Sequence, residues 1–372
     1  MKKTKLLFVI NSLRAGGAEK VMVNLVNNLD REKYDITVFT LFAGGVNKLF
    51  LRPDVKVIEH YCKAPKGFVY ICKLFSPKTL YKHFIKEEYD VVIPYLQGIC
   101  TRIVAGAPDG VKKIAWVHSF MKNRHHNHFR SMSEMVRLYR SYDKVACVSE
   151  HWCAKVKEET GVGDNAIVVY NTHDVKGIMQ MSQQPVAEME QQRELKIVAI
   201  GTLYYIKGFD RLLRCLKKLK DEGLRFHMYF VGDGEQHGEL EQYVKDNAMT
   251  GDVIFYGYQK NPYQYMSKAD LFVCSSISEG FSGTVSEATI LGIPTLTTRC
   301  SGMDEILGKN NEYGIIVENN EEALYEGLKD LMINRDKLAL YKEKVKDRSS
   351  FFSTESTVHC VEKLIDTIVN NK

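Results

Sequence analysis

Short apolar runs alternate with segments of helical periodicity along most of the chain. Residues 5–10 are almost continuously apolar, which is typical of a strand buried on both faces. After a loop with two glycines, residues 18–29 repeat apolar side chains at helical spacing, and residues 34–41 follow as a second strand. A strand, glycine loop, helix and strand in this order predict the start of a doubly wound α/β domain.

This alternation continues to residue 170 and begins again near residue 195. Further strands are predicted at 55–59, 91–95, 113–117, 144–148, 166–170, 195–200, 225–231, 253–256, 271–274 and 295–298. Residues 176–194 lack a strand pattern and predict a connection between two α/β domains, for which 372 residues suffice. We therefore predict domains at 1–175 and 190–350, whose strand ends can face one another across a cleft.

The last part of the chain, residues 351–368, predicts a terminal helix with an apolar stripe. The stripe consists of Val358, Val361, Leu364, Ile365 and Ile368. Periodicity alone leaves open whether this helix packs on its own domain or on the other one.

The segment 278–288 is the strongest candidate for a ligand site. Glu279 precedes a helix predicted at 284–291, and Glu287 lies within it; Ser282 is a suitable N-cap. The start of a helix offers unpaired backbone N–H groups to an anion, and a carboxylate accepts hydrogen bonds from hydroxyls. The segment thus suits a nucleotide-sugar, although two solvated glutamates on a surface helix remain the alternative.

The first glycine loop, with Gly16 and Gly17, is either a phosphate-facing loop or a tight turn. It lacks GxGxxG spacing, and no acidic residue completes a dinucleotide-binding fingerprint. A nicotinamide-dependent dehydrogenase is therefore disfavoured.

Composition narrows the class of protein. The net charge of +5 is mild and does not require nucleic acid as a partner. Nine scattered cysteines without a CxxC pair indicate a reducing compartment. The first apolar run is short enough to be a strand rather than a leader, and no run is long enough to span a bilayer. We expect a cytoplasmic protein.

Seven segments in order along the chain carry a resemblance to a known family. They are Gly16-Gly17-Ala18-Glu19, Trp116-Val117-His118, Tyr170-Asn171-Thr172-His173-Asp174, 201–210, Val231-Gly232-Asp233-Gly234, 270–288 and 301–307. Together they resemble the retaining glycosyltransferase family 4 over nearly the whole chain. The resemblance implies the GT-B fold, an α/β architecture of two Rossmann-like domains facing across a cleft. It also implies that the terminal helix, 353–372, crosses back to the first domain.

The resemblance also implies roles for individual residues. Lys207 would stabilise the donor diphosphate, Glu279 and His118 would lie near the transferred sugar, and these three form the expected catalytic set. The expected donor-binding residues are Gly16, Gly17, Thr202, Tyr258, Phe281, Ser282, Gly283, Thr284 and Glu287, of which Glu287 would accept hydrogen bonds from the ribose. The family usually has an arginine at the position of Thr202, so a second positive charge is missing there. Either Lys207 and the helix start suffice, or a basic residue such as Arg14 compensates.

The histidine-rich region near residue 125 invites two further interpretations. The spacing of His125, His126 and His128 is irregular and has no second cluster, which disfavours metal; we expect no catalytic metal and no cofactor. Residues 120–144 interleave basic with apolar side chains. They predict either a face for an anionic membrane or a lipid-linked acceptor, or a solvated helix.

The sequence as a whole favours an enzyme that moves a hexose or N-acetylhexosamine from a nucleoside diphosphate, most simply UDP, to a glycan or lipid-linked acceptor. The branch of the family that the chain resembles builds bacterial surface polysaccharides and lipid-linked glycans. A nucleotide-sugar 2-epimerase of the same fold and a non-catalytic nucleotide-sugar-binding protein are the alternatives. An epimerase would convert the nucleotide-sugar without an acceptor, whereas a binding protein would show no turnover.

Overall fold

The computed structural model describes residues 2–14, 16–120 and 126–370. The chain forms two compact units. Unit 1 comprises Met1–His173 with Thr354–Lys372, and unit 2 comprises Asp174–Ser353. Each unit contains one parallel β-sheet with helices between its strands, so the predicted α/β class with two Rossmann-like domains is confirmed.

The sheet of unit 1 has seven strands in the order β3-β2-β1-β4-β5-β6-β7. Its strands are β1 Thr4–Ile10, β2 Tyr34–Phe42, β3 Lys56–Tyr61, β4 Val91–Pro94, β5 Lys112–Val117, β6 Lys144–Cys147 and β7 Ala166–Val168. The central strand β1 is buried from Leu6 to Ile10, which explains its continuous apolar run.

Helices connect these strands. They are α1 Gly17–Asn28, α2 Phe68–Leu74, α3 Pro77–Phe84, α4 Ile99–Val104, α5 Met132–Tyr139 and α6 Glu150–Thr160. Short 3-10 turns lie at Val46–Phe50, His126–His128 and Gly163–Asn165.

The sheet of unit 2 has six strands in the order β10-β9-β8-β11-β12-β13. Its strands are β8 Leu195–Ile200, β9 Phe226–Val231, β10 Val253–Phe255, β11 Leu271–Cys274, β12 Thr295–Thr298 and β13 Ile315–Val317. The edge strand β13 is only three residues long, and the apolar pattern did not predict it.

The helices of unit 2 begin in the stretch predicted to be only a connection. They are α7 Val175–Ser182, α8 Ala187–Glu190, α9 Phe209–Asp221, α10 His237–Asp246, α11 Tyr263–Ser267, α12 Gly283–Ile290, α13 Met303–Leu307, α14 Glu321–Ile333 and α15 Arg335–Arg348. The 3-10 turns Tyr205–Lys207 and Ser349–Phe352 complete the unit.

The terminal helix α16, Thr354–Asn370, packs on unit 1. The hydroxyl of Tyr34 donates to Asp366 at 2.9 Å, and the backbone N–H of Asp30 donates to Glu362 at 2.9 Å. The apolar stripe predicted from the sequence is buried along this helix. The return of the last helix to the first domain is therefore confirmed.

The strand orders define where a ligand is expected in each unit. In both sheets the order reverses beside the first strand, between β1 and β4 in unit 1 and between β8 and β11 in unit 2. In open α/β sheets, ligands bind beyond the carboxyl ends of the strands at such a reversal. In unit 2 a ligand is therefore expected at the loops after β8 and β11.

Candidate functional site

Two side chains meet at the reversal in the sheet of unit 2. Lys207 follows β8 and Glu279 follows β11, and the ammonium Nζ of Lys207 donates to Glu279 Oε1 at 2.7 Å. The hydroxyl of Ser276 donates to the same carboxylate oxygen at 2.6 Å. Two of the three residues predicted to be catalytic thus lie in direct contact.

This pair is only partly open to solvent. The side chain of Glu279 is 11% exposed and that of Lys207 is 27% exposed. Burial would lower the pKa of Lys207, but the neighbouring Glu279 carboxylate outweighs it and raises that pKa above its ordinary value. Lys207 is therefore a stable cation at neutral pH.

Close backbone approach fixes the loop that carries Lys207. Gly208 has a φ of +63°, and a Cβ built there would lie 2.3 Å from the carbonyl oxygen of Ser275. A larger residue would separate the loop after β8 from the loop after β11. The hydroxyl of Ser275 also donates to the carbonyl of Lys207 at 3.0 Å, which ties the two loops together.

A buried arginine supports the loop that carries Glu279. Arg211 on α9 is 8% exposed, and its guanidinium donates to the carbonyls of Ser275 at 2.6 Å and Ser276 at 2.8 Å. The same group donates to the hydroxyl of Thr298 at 3.2 Å, and that hydroxyl donates to Ser276 at 2.7 Å. These charge-assisted bonds hold the backbone before Glu279 in one position.

Helix α12 starts four residues after Glu279, as its motif predicted to within one residue. The hydroxyl of Ser282 accepts from the backbone N–H of Val285 at 3.4 Å and is the N-cap. A Cβ built on Gly283 would have no neighbour within 4 Å, so the first turn borders open space, and Thr284 is half-buried there. Phe281 is 7% exposed, so its side chain is buried. The accessible helix start is therefore formed by Gly283 and Thr284.

Glu287 lies on the second turn of α12 and is 6% exposed. Its Oε1 accepts a hydrogen bond from the hydroxyl of Tyr263 on α11 at 3.0 Å. This contact orients the carboxylate, because one oxygen is held by the phenol.

Two predicted donor-binding residues of unit 2 are exposed to solvent. Thr202 is exposed just beyond β8, on the loop that leads to Lys207. Tyr258 is 56% exposed and follows β10, the edge strand two positions away from β8 in the sheet. An exposed tyrosine at this edge offers a flat apolar face.

In unit 1, His118 follows β5 and belongs to an aromatic cluster. Its ring lies 5.1 Å from that of Tyr95, which stacks on Trp116 with ring centroids 4.9 Å apart. The backbone N–H of His118 donates to the side-chain oxygen of Gln97 at 3.2 Å. Burial lowers the pKa of His118 to about 4, so this imidazole is neutral at physiological pH. Among the described residues, its buried Nε2 has no hydrogen-bond partner.

The glycine loop of unit 1 caps helix α1. Gly16 is the N-cap, and a Cβ built there would lie 2.0 Å from Glu19 Oε2. Gly17 borders open space. A larger residue at position 16 would therefore clash with Glu19, whereas the space beside position 17 would accept a side chain. Burial raises the pKa of the Glu19 carboxyl.

The structure changes the interpretation of residues 120–144. Phe120, Phe129 and Met135 are at most 2% exposed, so these apolar side chains belong to the core rather than to a face for lipid. Met132 is half-buried, so among the described residues of this stretch the apolar contribution to such a face is small.

The structure describes only part of the histidine-rich segment. His125 lies outside the described residues, and the side chain of His126 is likewise not described. Within the ranges that the structure describes, no group of three or more His, Cys, Asp or Glu side chains is arranged to hold a metal ion. The described helices include none that is long and apolar enough to cross a membrane.

Comparison with known proteins assigns the two halves to two family models. Residues 15–176 match the model described as Glycosyltransferase Family 4, and residues 181–348 match the model described as Glycosyl transferases group 1. These two ranges include every residue of the site described above.

Individual relatives match over almost the whole chain. An N-acetylgalactosaminyltransferase of Campylobacter jejuni, whose name specifies a diphospho-undecaprenol-linked acceptor, is 26% identical over 94% of this chain and 95% of its own. The lipopolysaccharide core biosynthesis glycosyltransferase LpsD of Rhizobium meliloti is 27% identical over 77% of this chain and 76% of its own. Among solved structures, Anabaena HepE in complex with UDP and glucose has a TM-score of 0.79 at 18% identity, over 98% of this chain and 99% of that one.

Proposed function

Because this chain belongs to glycosyltransferase family 4 and is a glycosyltransferase, we propose that it transfers a hexose or N-acetylhexosamine from UDP with retention of anomeric configuration. The observation that carries the proposal is the Lys207–Glu279 pair beside the accessible start of α12. A UDP-sugar combines an anionic diphosphate with hydroxyl groups, and this cluster offers a partner for each.

The diphosphate is the leaving group, and its negative charge grows as the glycosidic bond breaks. Lys207 supplies a fixed positive charge, and the first turn of α12 supplies backbone N–H groups with the positive end of the helix dipole. Preorganised groups of this kind stabilise charge that develops in a transition state. We propose that they do so here without a metal ion or cofactor.

The two glutamates bind rather than perform acid–base chemistry in this proposal. Glu287, held by Tyr263, accepts hydrogen bonds from the ribose hydroxyls, while Glu279 accepts from the transferred sugar. Glu279 is already bonded to a lysine, so it is poorly suited to be a proton donor of the kind that retaining hydrolases use. His118, neutral at physiological pH, donates or accepts one hydrogen bond at the sugar.

The proposed reaction takes place on one face of the sugar. The acceptor oxygen forms a bond to the anomeric carbon on the face from which the diphosphate leaves, and the bond from that carbon to the phosphate oxygen breaks. The leaving phosphate oxygen takes the proton of the acceptor hydroxyl. No protein side chain then needs to exchange a proton during the transfer.

The acceptor is proposed to be a glycan or a lipid-linked glycan of a bacterial surface polysaccharide. Support comes from the relatives, because the name of one specifies a diphospho-undecaprenol-linked acceptor and that of another specifies lipopolysaccharide core biosynthesis. The proposed UDP donor is supported by solved structures of similar fold, in complex with UDP or UDP-glucose.

The proposal is tested with a panel of nucleotide-sugars in two steps. Thermal unfolding with UDP-, GDP- and ADP-sugars should show stabilisation by a UDP-sugar, and the stabilising donor should then be hydrolysed slowly or transferred to a polyprenyl diphosphate glycan. Proton NMR of the product should show the donor's anomeric configuration. Stabilisation by GDP- or ADP-sugars alone, or an inverted product, would contradict the proposal. Formation of a new nucleotide-sugar without acceptor would indicate an epimerase.

A further inference from the structure

Helix α2 of unit 1 turns apolar side chains toward solvent. Tyr70 is 75% exposed, Leu74 is 76% exposed, and Ile71 and Phe75 are 49% and 47% exposed. Surface helices of soluble proteins usually bury such residues, and adjacent exposed apolar side chains mark an interaction site. In α2 only Phe68 and Cys72 are buried.

Two arginines hold the end of this helix firmly in place. Arg102, which is fully buried, donates to the carbonyls of Cys72 and Phe75 at 2.9 Å each. Arg130 donates to the carbonyls of Lys73 at 2.6 Å and Leu74 at 2.9 Å. The carbonyls that a helix end leaves unpaired are thus satisfied by charged side chains.

A shared carboxylate links both arginines. Glu134 on α5 accepts from the guanidinium of Arg102 at 3.1 Å and from the backbone N–H of Arg130 at 2.6 Å. Removing one member of a buried ion pair is costly, so this network keeps α2 in a single orientation. The exposed apolar side chains therefore belong to a rigid element rather than to a loosely attached segment.

The chain around α2 is strongly and uniformly basic. Residues 60–86 contain no Asp or Glu but six lysines, namely Lys63, Lys66, Lys73, Lys78, Lys82 and Lys86. All of these except Lys73 are exposed, and the ammonium of Lys73 lies 5.6 Å from the ring centre of Tyr70. Lysines that flank exposed aromatic and aliphatic side chains along the chain are typical of a segment that binds a membrane interface.

We propose that this surface, formed by Tyr70, Ile71, Leu74 and Phe75 together with Lys63, Lys66, Lys73 and Lys78, binds the headgroup region of an anionic lipid bilayer. The four apolar side chains enter the boundary between headgroups and acyl chains, while the lysines pair with anionic headgroups. We call it the α2 surface. It differs from the membrane face predicted at 120–144, whose aromatic residues are buried.

Charge argues against a second copy of the chain as the occupant. A two-fold interface would place the α2 surface against itself, so lysines would face lysines without a carboxylate between them. Four apolar side chains also provide less area than the roughly 800 Å² per partner of a stable protein interface. An anionic bilayer satisfies both the lysines and the apolar side chains.

Vesicle binding tests the proposal without donor or acceptor, so its failure would leave the proposed transferase function untouched. The full-length protein is sedimented with vesicles of phosphatidylglycerol and phosphatidylcholine, and with phosphatidylcholine alone, at about 0.1 M and about 1 M salt. We expect binding to anionic vesicles at low salt. The double variant Ile71→Glu/Leu74→Glu should lower the partition coefficient at least about tenfold.

Two further variants separate the contributions. In the triple variant Lys63→Gln/Lys66→Gln/Lys78→Gln, each lost lysine should lower vesicle binding about fivefold at low salt. At high salt these substitutions should have little effect. The matched control is Ile333→Glu/Leu340→Glu, which changes exposed apolar residues of α14 and α15 and should bind vesicles like the wild type. Circular dichroism melts confirm that each variant is folded.

Three results would overturn the proposal. The first is a wild-type protein that does not sediment with anionic vesicles, and the second is an α2 double variant that binds as well as the wild type. The third is light scattering in which that double variant changes the oligomeric state, since this would identify another copy of the chain as the partner.

Discussion

The two regions predicted to be catalytic differ in the chemistry of their side chains. In unit 2, Lys207 and Glu279 are a charged pair whose loop is supported by Arg211 and Thr298. In unit 1, His118 stands among aromatic rings and is neutral because burial lowers its pKa to about 4.

This difference follows the chemistry of a sugar nucleotide. A diphosphate needs positive charge that is already in place, because orienting charged groups during the reaction would cost free energy. A sugar ring is uncharged, so a neutral hydrogen-bonding group beside apolar rings suits it. Under the proposed function, the charged region handles the leaving group and the aromatic region handles the sugar.

The largest expected effect comes from removing the charge of unit 2. Lys207→Ala should lower kcat/KM by roughly 10²–10³, the loss typical of removing one group that stabilises transition-state charge. Steady-state kinetics with the preferred donor measure it. Lys217→Ala, which removes a lysine of α9 paired with Asp221, should have little effect. If Lys207→Ala kept its rate to within about twofold, Lys207 would have no role in charge stabilisation.

The next effect concerns the support of the charged loop. Arg211→Lys should lower the free energy of unfolding by about 2–4 kcal/mol, because lysine cannot make the same set of bonds to Ser275, Ser276 and Thr298. It should also weaken UDP binding, which calorimetry can follow beside urea unfolding. Arg214→Lys on the same helix, whose partners Asp210 and Glu321 are at the surface, is the matched control. Equal losses in the two variants would show that Arg211 is an ordinary surface-type arginine.

The pH dependence of stability should report on the aromatic region around His118. Because burial lowers the pKa of His118, the unfolded chain takes up this proton first, between its usual pKa near 6.5 and about 4. Wild-type stability should therefore fall as pH drops through that window, and His118→Gln should lose less. Melting temperatures from pH 7.5 to 4.5 measure this difference, with His151→Gln, at an exposed position, as control. Parallel curves for wild type and His118→Gln would place His118 in a solvated environment.

The smallest expected effect is a lower KM for the donor. Thr202→Arg adds a second positive charge on the exposed loop before Lys207 and should lower KM for the donor by about threefold to tenfold. Thr202→Gln adds an uncharged polar side chain and should leave KM unchanged. A Thr202→Arg enzyme without any gain would indicate that the guanidinium does not reach the diphosphate.

Local signals along the chain predicted most of the fold and the start of α12. Ser282 as N-cap placed the start of this helix to within one residue. The buried strands were recognised because both of their faces are covered, so their apolar runs are continuous. The terminal helix showed its stripe, while its partner came from the family resemblance.

Side chains with distant partners were not predictable in this way. Arg211 resembles a surface residue of an amphipathic helix, and its partners Ser275 and Ser276 follow more than sixty positions later. The sequence likewise gives no sign that Tyr263 contacts Glu287, because the two residues meet only after α11 and α12 are packed. The aromatic residues between the basic ones of 120–144 were assigned to the surface because charge pattern does not report burial. Ile71 and Leu74 are the reverse case, apolar yet exposed.

The contact between Lys207 and Glu279 has a consequence for selectivity among anions. A bare phosphate that takes the lysine for itself leaves a largely buried carboxylate without its cation, which costs free energy. A ligand that brings hydroxyls along with its phosphates compensates that carboxylate in the same binding event. Under the proposed function, this single ion pair would therefore favour a sugar nucleotide over inorganic phosphate at the donor site.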